Sequence, residues 1–471
     1  MNHPTNSGTT ADGWRSQILS VGVSAAAGQP SGSGSASGGP ASLPSRAALE
    51  AGQLEQLRCL LAGIFPGNPF YRRKLESAGL TFAVSSLADF ARRFPFTTKA
   101  ELAANQLEHP PFGTNLTYPL ACYTRFHQTS GTAGPPLRWL DTPESWEGLL
   151  ASWREVYRAA DVQAADRVFF AFSFGPFLGF WTAFESAARL GCLCLPGGGL
   201  GTSVRLRALL DNGATVLCGT PTYVLRLGET AAALRVDLRQ SRVRRIIVAG
   251  EPGGSIPATR ARLETLWPGA RVFDHHGMTE VGPVTYECPA RPGVLHVIEG
   301  AYLAEILAPA TGQPVAAGAT GELVLTTLGR LASPLLRYRT GDLVRRSALD
   351  TAAGQPCACG RQEMTLAGGI LGRVDDMVIV RGVNIYPAAV EQILRGFPEV
   401  AEYRVRLSQA QVLSELTVEV EAMPGCASPK ALALSVEQAL ESAFALRVPV
   451  GVVAEGSLPR FELKAQRWVR A

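Results

Sequence analysis

The chain has 471 residues, 46% of them hydrophobic, and its 44 basic and 40 acidic residues give a formal net charge of +4. This length and composition suffice for two or three domains with sizeable cores. Because charges of both signs are scattered and nearly balance, we expect no nucleic-acid partner. No run of about 18 apolar residues is free of charge or glycine, so we expect no membrane span.

The cysteines and the N-terminal segment indicate the compartment. The nine cysteines form no regular framework of the secreted type, and their odd number would leave one unpaired, so we expect a reducing cytoplasm. The first residues lack the basic start and apolar run of a signal peptide. Residues 1–44 are rich in Gly, Ser, Ala and Pro. They are predicted to be a disordered tail, because they cannot bury enough apolar surface to offset the entropy of ordering.

From residue 45 onward, helical patterns alternate with short apolar strands. Residues 54–64 have the pattern of an amphipathic helix, and residues 167–172, 215–218 and 245–249 have that of buried strands, each beside a helical segment. Such alternation predicts an α/β fold with ligands at the carboxyl ends of the strands of a sheet. Residues 322–327 add a β-rich portion.

The C-terminal part of the chain has the pattern of a separate, small α+β unit. Two strands and two helices are predicted there, at residues 377–380, 416–420, 388–394 and 430–444. We therefore divide the chain into a tail (1–44), a large domain (45–373) and a small C-terminal domain (374–471). No internal repeat is found, and the oligomeric state is left open.

The run from His127 to Gly134 combines hydroxyl side chains and glycines with little bulk. Such a loop can wrap its backbone N–H groups around a phosphate chain while Thr and Ser hydroxyls add donors. It is not a Walker loop, because no Gly-Lys-Ser/Thr follows it. On composition alone, an ordinary surface turn is the alternative.

Five further motifs favour a phosphate-binding loop over an ordinary surface turn. They are, in chain order, Ala249-Gly250-Glu251-Pro252, Gly277-Met278-Thr279-Glu280, Tyr338-Arg339-Thr340-Gly341-Asp342, Gly372-Arg373-Val374-Asp375-Asp376, and Pro459-Arg460 through Lys464. With the hydroxyl loop they resemble, in order and rough spacing, the core motifs of the adenylate-forming superfamily of acyl-CoA synthetases, peptide-synthetase adenylation domains and luciferases.

Within that superfamily the chain is most similar to phenylacetate-CoA ligases and their relatives. The similarity is carried by residues 68–80, 94–99, 335–340 and 379–387, and by His127 just before the hydroxyl loop. It covers roughly residues 55–471. It implies a large AMP-binding domain, built of α/β sheets and a β-rich subdomain, and a small α+β domain that rotates between two half-reactions.

The resemblance implies an ATP-dependent acid-thiol ligase that makes an acyl-adenylate and pyrophosphate and then transfers the acyl group to CoA. Bringing a carboxylate to a polyphosphate opposes two negative charges, so the site needs backbone donors, a cation and a metal. We expect an aryl acid such as phenylacetate. The alternatives are an acyl-adenylating enzyme that loads a carrier-protein thiol or an amine, and a non-catalytic nucleotide-binding relative.

The resemblance also assigns the nucleotide contacts residue by residue. The β- and γ-phosphates would lie against Thr129, Ser130, Gly131, Thr132 and Gly134. Glu280 would bind Mg²⁺, since a hard cation bridging phosphate oxygens prefers one or two carboxylates, and Thr279 would contact the α-phosphate. Asp342 can accept hydrogen bonds from both ribose hydroxyls, with Arg373 adding a ribose or phosphate contact.

The adenine slot would have one wall formed by Ala249, Gly250, Glu251 and Pro252. Asp274 would bind the edge of the base, and His276 stands where the family commonly has a stacking tyrosine. A second departure is Pro135, in place of the lysine that usually follows the loop, for which Arg138 is a candidate substitute. A lower affinity for ATP is the other outcome of that change.

The small domain would supply the residues that change between half-reactions. Lys464 would stabilise charge in the adenylation step, although the usual glycine before it is Leu463. Asp375 would be the hinge. Arg381 and Gly382 would line the entry of the thiol.

Two further groups of residues lie outside the nucleotide contacts. Cys288, His296, Cys357 and Cys359 offer the three sulfurs and one imidazole of a closed structural zinc site, and some members of the ligase family have similar Cys and His positions. Reduced thiols in loops are the alternative. A Gly-punctuated aromatic stretch would, by resemblance, adjoin the acyl site, with Phe174 and Phe177 as the candidates for its wall. The alternative, favoured for any single aromatic of the stretch, is a core residue.

Overall fold

The structure is a computed structural model that describes residues 43–129, 136–347, 355–381, 383–410, 413–461 and 465–470. Within these ranges no helix has both the length and the apolar character needed to cross a membrane. Nearly all of the predicted tail lies outside the described residues. So do Ser130, Gly131, Thr132, Gly134, Pro135, Gly382, Leu463 and Lys464.

The described ranges contain eleven α-helices. They are α1 (Arg46–Gly67), α2 (Pro69–Ser77), α3 (Leu87–Arg93), α4 (Lys99–Glu108), α5 (Pro143–Ala159), α6 (Leu178–Leu190), α7 (Thr202–Asp211), α8 (Pro221–Ala233), α9 (Pro257–Leu266), α10 (Pro387–Arg395) and α11 (Pro429–Phe444). The predicted amphipathic helix is the middle of α1.

Helices near the site begin at residues that can satisfy their free backbone N–H groups. Thr98 and Glu101 form a reciprocal capping box at the start of α4. Thr220 accepts a hydrogen bond from the Tyr223 amide at the start of α8, where Pro221 occupies the first helical position. These local signals fix where each helix starts and hence where the preceding loop must end.

Strands β1 to β22 are, in chain order, Arg125–Gln128, Arg138–Asp141, Arg167–Phe170, Leu193–Pro196, Val216–Gly219, Arg245–Val248, Arg271–Asp274, Gly277–Met278, Gly282–Pro283, Thr285–Glu287, Val294–Val297, Tyr302–Leu307, Thr320–Thr327, Tyr338–Arg345, Thr365–Ala367, Gly372–Arg373, Val378–Val380, Val383–Ile385, Val400–Ala410, Leu413–Ala422, Val450–Val453 and Trp468–Arg470. The predicted strands at 167–172 and 245–249 are present but end two residues and one residue earlier.

A five-stranded parallel sheet, in the order β4-β3-β5-β6-β7, is the centre of the large domain. Successive residues of a strand point to opposite faces. Accordingly Val168 and Phe170 enter one hydrophobic core, and Phe169 enters the other, which α7, α8 and α9 cover. Both faces are buried, which explains the nearly continuous apolar character of these strands and confirms the predicted α/β fold.

Antiparallel sheets surround this centre. Strands β12-β13-β14-β16 form one sheet, which includes the β-rich segment predicted at 322–327, and β10-β11-β15 form another. The C-terminal region has its own core and a sheet in the order β21-β20-β19-β22. Its longest strand, β19, was not predicted, because Arg404 and Arg406 interrupt its apolar residues; in the structure both guanidinium groups pair with Glu419 on β20.

Candidate active site

Two of the predicted nucleotide motifs follow strands of the parallel sheet at its carboxyl edge. The chain leaves β3 into the aromatic stretch, β6 into Ala249–Pro252, and β7 into the turn from His276 to Glu280. Ligand sites of open α/β sheets lie at this edge, where consecutive loops diverge. The sheet therefore brings together segments that are far apart in the sequence.

Glu280 lies at the end of the turn that follows β7 and is 4% exposed. Its Oε1 atom is 3.2 Å from the ammonium of Lys99 and 3.4 Å from the hydroxyl of Tyr338 on β14. Burial and the Glu280 carboxylate raise the pKa of Tyr338 well above its ordinary value, so this hydroxyl stays a donor. A buried carboxylate with an adjacent cation suits the binding of Mg²⁺ and phosphate.

Lys99 was not assigned a role from the sequence, although it lies in a segment that resembles the ligase family. One signal was available: only four of the 44 basic residues are lysines, at 74, 99, 430 and 464. Arg138, the sequence-based substitute for the missing loop lysine, donates instead to the carbonyl of Pro111 at 2.9 Å. Among the described residues, Lys99 is thus the lysine beside Glu280.

A buried ion pair holds the backbone of the turn that contains Glu280. Arg330 is 2% exposed and bonds both oxygens of Asp141 on β2, which is fully buried. The same guanidinium donates to the backbone carbonyls of Thr279 at 3.0 Å and of Glu280 at 2.8 Å. Sequence reasoning missed both residues of the pair, since neither belongs to a recognised motif.

The carboxylate predicted to bind ribose lies between an imidazole and a guanidinium group. Asp342 Oδ2 is 3.1 Å from His276 Nε2, and Oδ1 accepts a hydrogen bond from Arg373 at 3.2 Å. Gly341 has a φ of +78°, which favours glycine, and a Cβ there would come within 2.9 Å of the Arg373 guanidinium. Although burial opposes its charge, Asp375 and Asp342 raise the pKa of Arg373.

The predicted hinge and thiol-entry residues lie on the small-domain side. Asp375 binds the Arg373 guanidinium through both carboxylate oxygens, at 2.9 and 3.2 Å, and so links the predicted ribose contacts to the start of the small domain. Arg381 has a φ of +49° and pairs with Glu415 at 2.9 Å. The hinge and entry roles stay predictions.

The predicted adenine contacts have other hydrogen-bond partners in this structure. Asp274 accepts from the Ser255 hydroxyl at 2.5 Å and from the His275 amide at 3.0 Å, and burial raises its pKa. Glu251 accepts from the backbone amides of Thr222 and Ala465. Asp274 as an edge partner of adenine, and Ala249, Gly250, Glu251 and Pro252 as its wall, stay predictions.

At the base of the hydroxyl loop, Thr129 is buried and held to Leu137 by two bonds of 3.0 Å. Its backbone N–H donates to the Leu137 carbonyl, and its Oγ1 accepts from the Leu137 amide. The hydroxyl proton is left for another acceptor. The backbone N–H of Gln128 donates to the carbonyl of Pro176 at 2.8 Å, so the aromatic stretch contacts the strand that precedes the loop.

The aromatic stretch forms one connected cluster of rings. Phe172 stacks on Phe180 with centroids 4.0 Å apart, and Phe174 contacts Trp181 and Phe184 with centroids 4.8 and 5.4 Å apart. Phe172 is buried in the core. Phe174 is partly buried against it, whereas Phe177 stands at the start of α6 in contact with Phe180.

The four residues predicted to bind zinc converge, with their ligand atoms all within 4.8 Å of one another. Cys288 Sγ lies 3.7 Å from Cys357 Sγ, and Cys359 Sγ lies 3.3 Å from His296 Nε2. A tetrahedral zinc ion with ordinary bond lengths requires about 3.8 Å between sulfurs and about 3.5 Å between sulfur and nitrogen. Burial lowers the pKa of His296 to about 4, so its imidazole is neutral.

Comparison with known proteins identifies the family. A family model described as "AMP-binding enzyme" matches residues 128–329, and one described as "AMP-binding enzyme C-terminal domain" matches residues 382–470. The phenylacetate-coenzyme A ligase of Aromatoleum evansii is 34% identical, with 80% of this chain and 82% of the relative covered. That of Escherichia coli K12 is 32% identical, with 89% and 94% covered. The chain belongs to the phenylacetate-coenzyme A ligase family.

Solved structures reveal which domain arrangement this member of the ligase family adopts. 2-Hydroxyisobutyryl-CoA ligase in the postadenylation state, in complex with R3-HIB-AMP, aligns with a TM-score of 0.85 at 26% identity over 91% of each chain. In the thioesterification state, with 2-HIB-AMP and CoA, the same ligase aligns with a TM-score of 0.67 over 90% of each chain. Because the coverage is nearly equal, the two values differ through domain placement, and the present structure resembles the postadenylation arrangement.

Proposed function

We propose that this protein activates an aryl carboxylic acid with ATP and Mg²⁺, releasing pyrophosphate, and then transfers the acyl group to CoA. At the coarser level the chain is an ATP-dependent, AMP-forming acid-CoA ligase that works through an acyl-adenylate. The observation that carries the proposal is the docking of the His276–Glu280 turn along β14, where Asp342 contacts His276 and Tyr338 contacts Glu280.

Different residues in and around that turn and strand would contact different parts of the nucleotide. Asp342 would accept the ribose hydroxyls, with Arg373 neutralising its charge. Glu280 would hold Mg²⁺, which supplies neutralisation of the polyphosphate charge. Lys99 would contact the outer phosphates and so replace the lysine that Pro135 removes. Arg330 would hold Glu280 in position for this contact, because it donates a hydrogen bond to the backbone carbonyl of Glu280.

The second half-reaction would use the small domain in a rotated position. Lys464 would act only in the first step, while Arg381 and Gly382 would lie at the thiol entry in the second, with Asp375 as the hinge. We propose free CoA as the acceptor, since the similar curated proteins are coenzyme A ligases. A carrier-protein thiol is the second candidate.

An aryl acid is favoured by the ring cluster beside the hydroxyl loop. Phe174 and Phe177 would present ring faces and edges to the acyl group, and offset or edge-to-face contacts between aromatic rings add about 0.5–1.5 kcal/mol beyond burial. The hydrogen bond between Gln128 and Pro176 supports this proposal, because it joins the aromatic stretch to the strand that leads into the predicted phosphate loop.

We also propose a structural zinc ion at Cys288, His296, Cys357 and Cys359, because the separations of these side chains fit a closed tetrahedral site. All nine cysteines lie in the described ranges and none forms a disulfide, which supports a reducing, cytoplasmic location.

A pyrophosphate-release screen over aryl and alkyl acids, with CoA, with a pantetheine-loaded carrier protein and with neither, tests the proposal. We expect release with aryl acids and acyl-CoA with AMP as products. Lys464→Ala should abolish ATP–pyrophosphate exchange, whereas Lys430→Ala, an exposed lysine at the start of α11, should not change it. Exchange at the parent rate in Lys464→Ala would contradict the role of Lys464, and no release with any acid would contradict the function.

A further inference from the structure

Glu251 links two segments that belong to different domains. It follows β6, and its Oε1 atom accepts a hydrogen bond of 2.8 Å from the Thr222 amide in the first turn of α8. Its Oε2 atom accepts one of 2.9 Å from the Ala465 amide. A carboxylate that accepts from backbone amides forms charge-assisted hydrogen bonds, which are shorter and stronger than neutral ones.

Ala465 directly follows Lys464 in the chain. The segment beyond it is fixed to the small domain, since Arg467 bonds both carboxylate oxygens of Glu402 at 2.7 and 3.2 Å and its carbonyl accepts from Val405 on β19. Glu251 thus attaches the large domain to a point one residue from Lys464, on a segment that the small domain holds rigidly.

The hydrogen bond between Glu251 and Ala465 forms in the arrangement of domains seen in this structure, which resembles the postadenylation state of the related ligase. Other contacts across the boundary join the Arg467 guanidinium to the Thr222 hydroxyl at 3.5 Å and Arg262 on α9 to the carbonyl of Val400 on β19 at 2.7 Å. Rotation of the small domain separates such partners. The Glu251–Ala465 bond would then exist in the first half-reaction and be absent from the second.

We infer that Glu251 is a positioning residue for adenylation, which holds the backbone amide of Ala465 and would act through the adjoining Lys464. The inference rests on the proposed function and deepens it, because the carboxylate would act through Lys464 rather than on adenine. Losing one charge-assisted hydrogen bond should slow adenylation about tenfold to a hundredfold. Thioester formation should not slow, since that step does not use the bond.

The test measures the two half-reactions separately in the full chain. ATP–pyrophosphate exchange reports adenylation, and single-turnover acyl-CoA formation from a supplied acyl-adenylate reports thioesterification. For Glu251→Gln and Glu251→Ala we expect a lower kcat of exchange, an unchanged KM for ATP and an unchanged rate of thioesterification. The matched control is Thr220→Ala, which breaks the hydrogen bond to Tyr223 at the same end of α8 but leaves the Ala465 contact in place. It should retain parental exchange.

Each other outcome overturns the inference in a distinct way. Parental exchange in both Glu251 variants would mean that the bond does not position anything. A raised KM for ATP with a normal kcat would assign Glu251 to the adenine wall. Equal losses in both half-reactions, repeated in Thr220→Ala, would show a merely structural role at the start of α8. If the parent protein exchanged pyrophosphate with no acid, the proposed function would fail as well.

Discussion

Replacing Arg330 with methionine should lower both stability and the rate of adenylation, for different reasons. Methionine leaves the fully buried Asp141 without its partner, and removing one member of a buried ion pair costs about 3–5 kcal/mol. It also removes the donors to the carbonyls of Thr279 and Glu280. Because a shift of about 1 Å in a positioned group costs about 10²-fold in rate, we expect a loss of that order in ATP–pyrophosphate exchange.

The double variant Asp141→Asn, Arg330→Met separates these effects. It removes the unpaired charge, so the free energy of unfolding, measured by urea denaturation, should recover by about 2 kcal/mol or more relative to Arg330→Met. Exchange should stay low, because the two carbonyl contacts are still missing. Full recovery of exchange would refute a positioning role for Arg330. A loss of less than about 1 kcal/mol in the single variant would refute the argument from buried charge.

Three further predictions concern other groups. Lys99→Ala should raise the KM for ATP with Mg²⁺ about tenfold by removing one charged contact to phosphate, with Lys430→Ala as the control; an unchanged KM would remove Lys99 from the site. Purified protein should contain one zinc per chain by elemental analysis. Cys359→Ser should lose the metal and melt at a lower temperature, whereas the control Cys426→Ser should keep the zinc and the parental melting temperature. Protein without stoichiometric zinc would end the proposal. Burial lowers the pKa of His275 to about 4, so the folded state binds fewer protons than the unfolded state and stability should fall as pH decreases from about 6.5 to about 4, by up to about 3 kcal/mol. The urea midpoint should depend less steeply on pH in His275→Asn than in the parent protein. An equal dependence would contradict the attribution of this pH effect to His275.

Much of the site could be predicted because its residues stand in short motifs. The apolar runs of β3, β5 and β6 predicted a buried parallel sheet, and a sheet of that kind directs the loops after its strands to one edge. Glu280 follows β7 at that edge, and Asp342 on β14 contacts His276 of the same segment, while their roles toward the nucleotide stay predictions. The sequence also predicted that the Cys and His residues of the predicted zinc site lie together, since few other roles bring three sulfurs and one imidazole together.

The supporting residues could not be predicted in this way. Asp141 and Arg330 are 189 positions apart, and Glu251 and Ala465 are 214 apart. A lone Asp, Glu or Arg in a sequence is ordinarily a solvated surface residue. Its significance depends on which distant backbone groups the fold places within hydrogen-bond distance. The sequence alone thus determined the fold class, which follows from local periodicity, and it proposed the nucleotide contacts through the resemblance of its motifs to a known family. Only the tertiary structure decided which charges hold those residues in place and which contacts join the two domains, because such pairs form only when distant segments pack together.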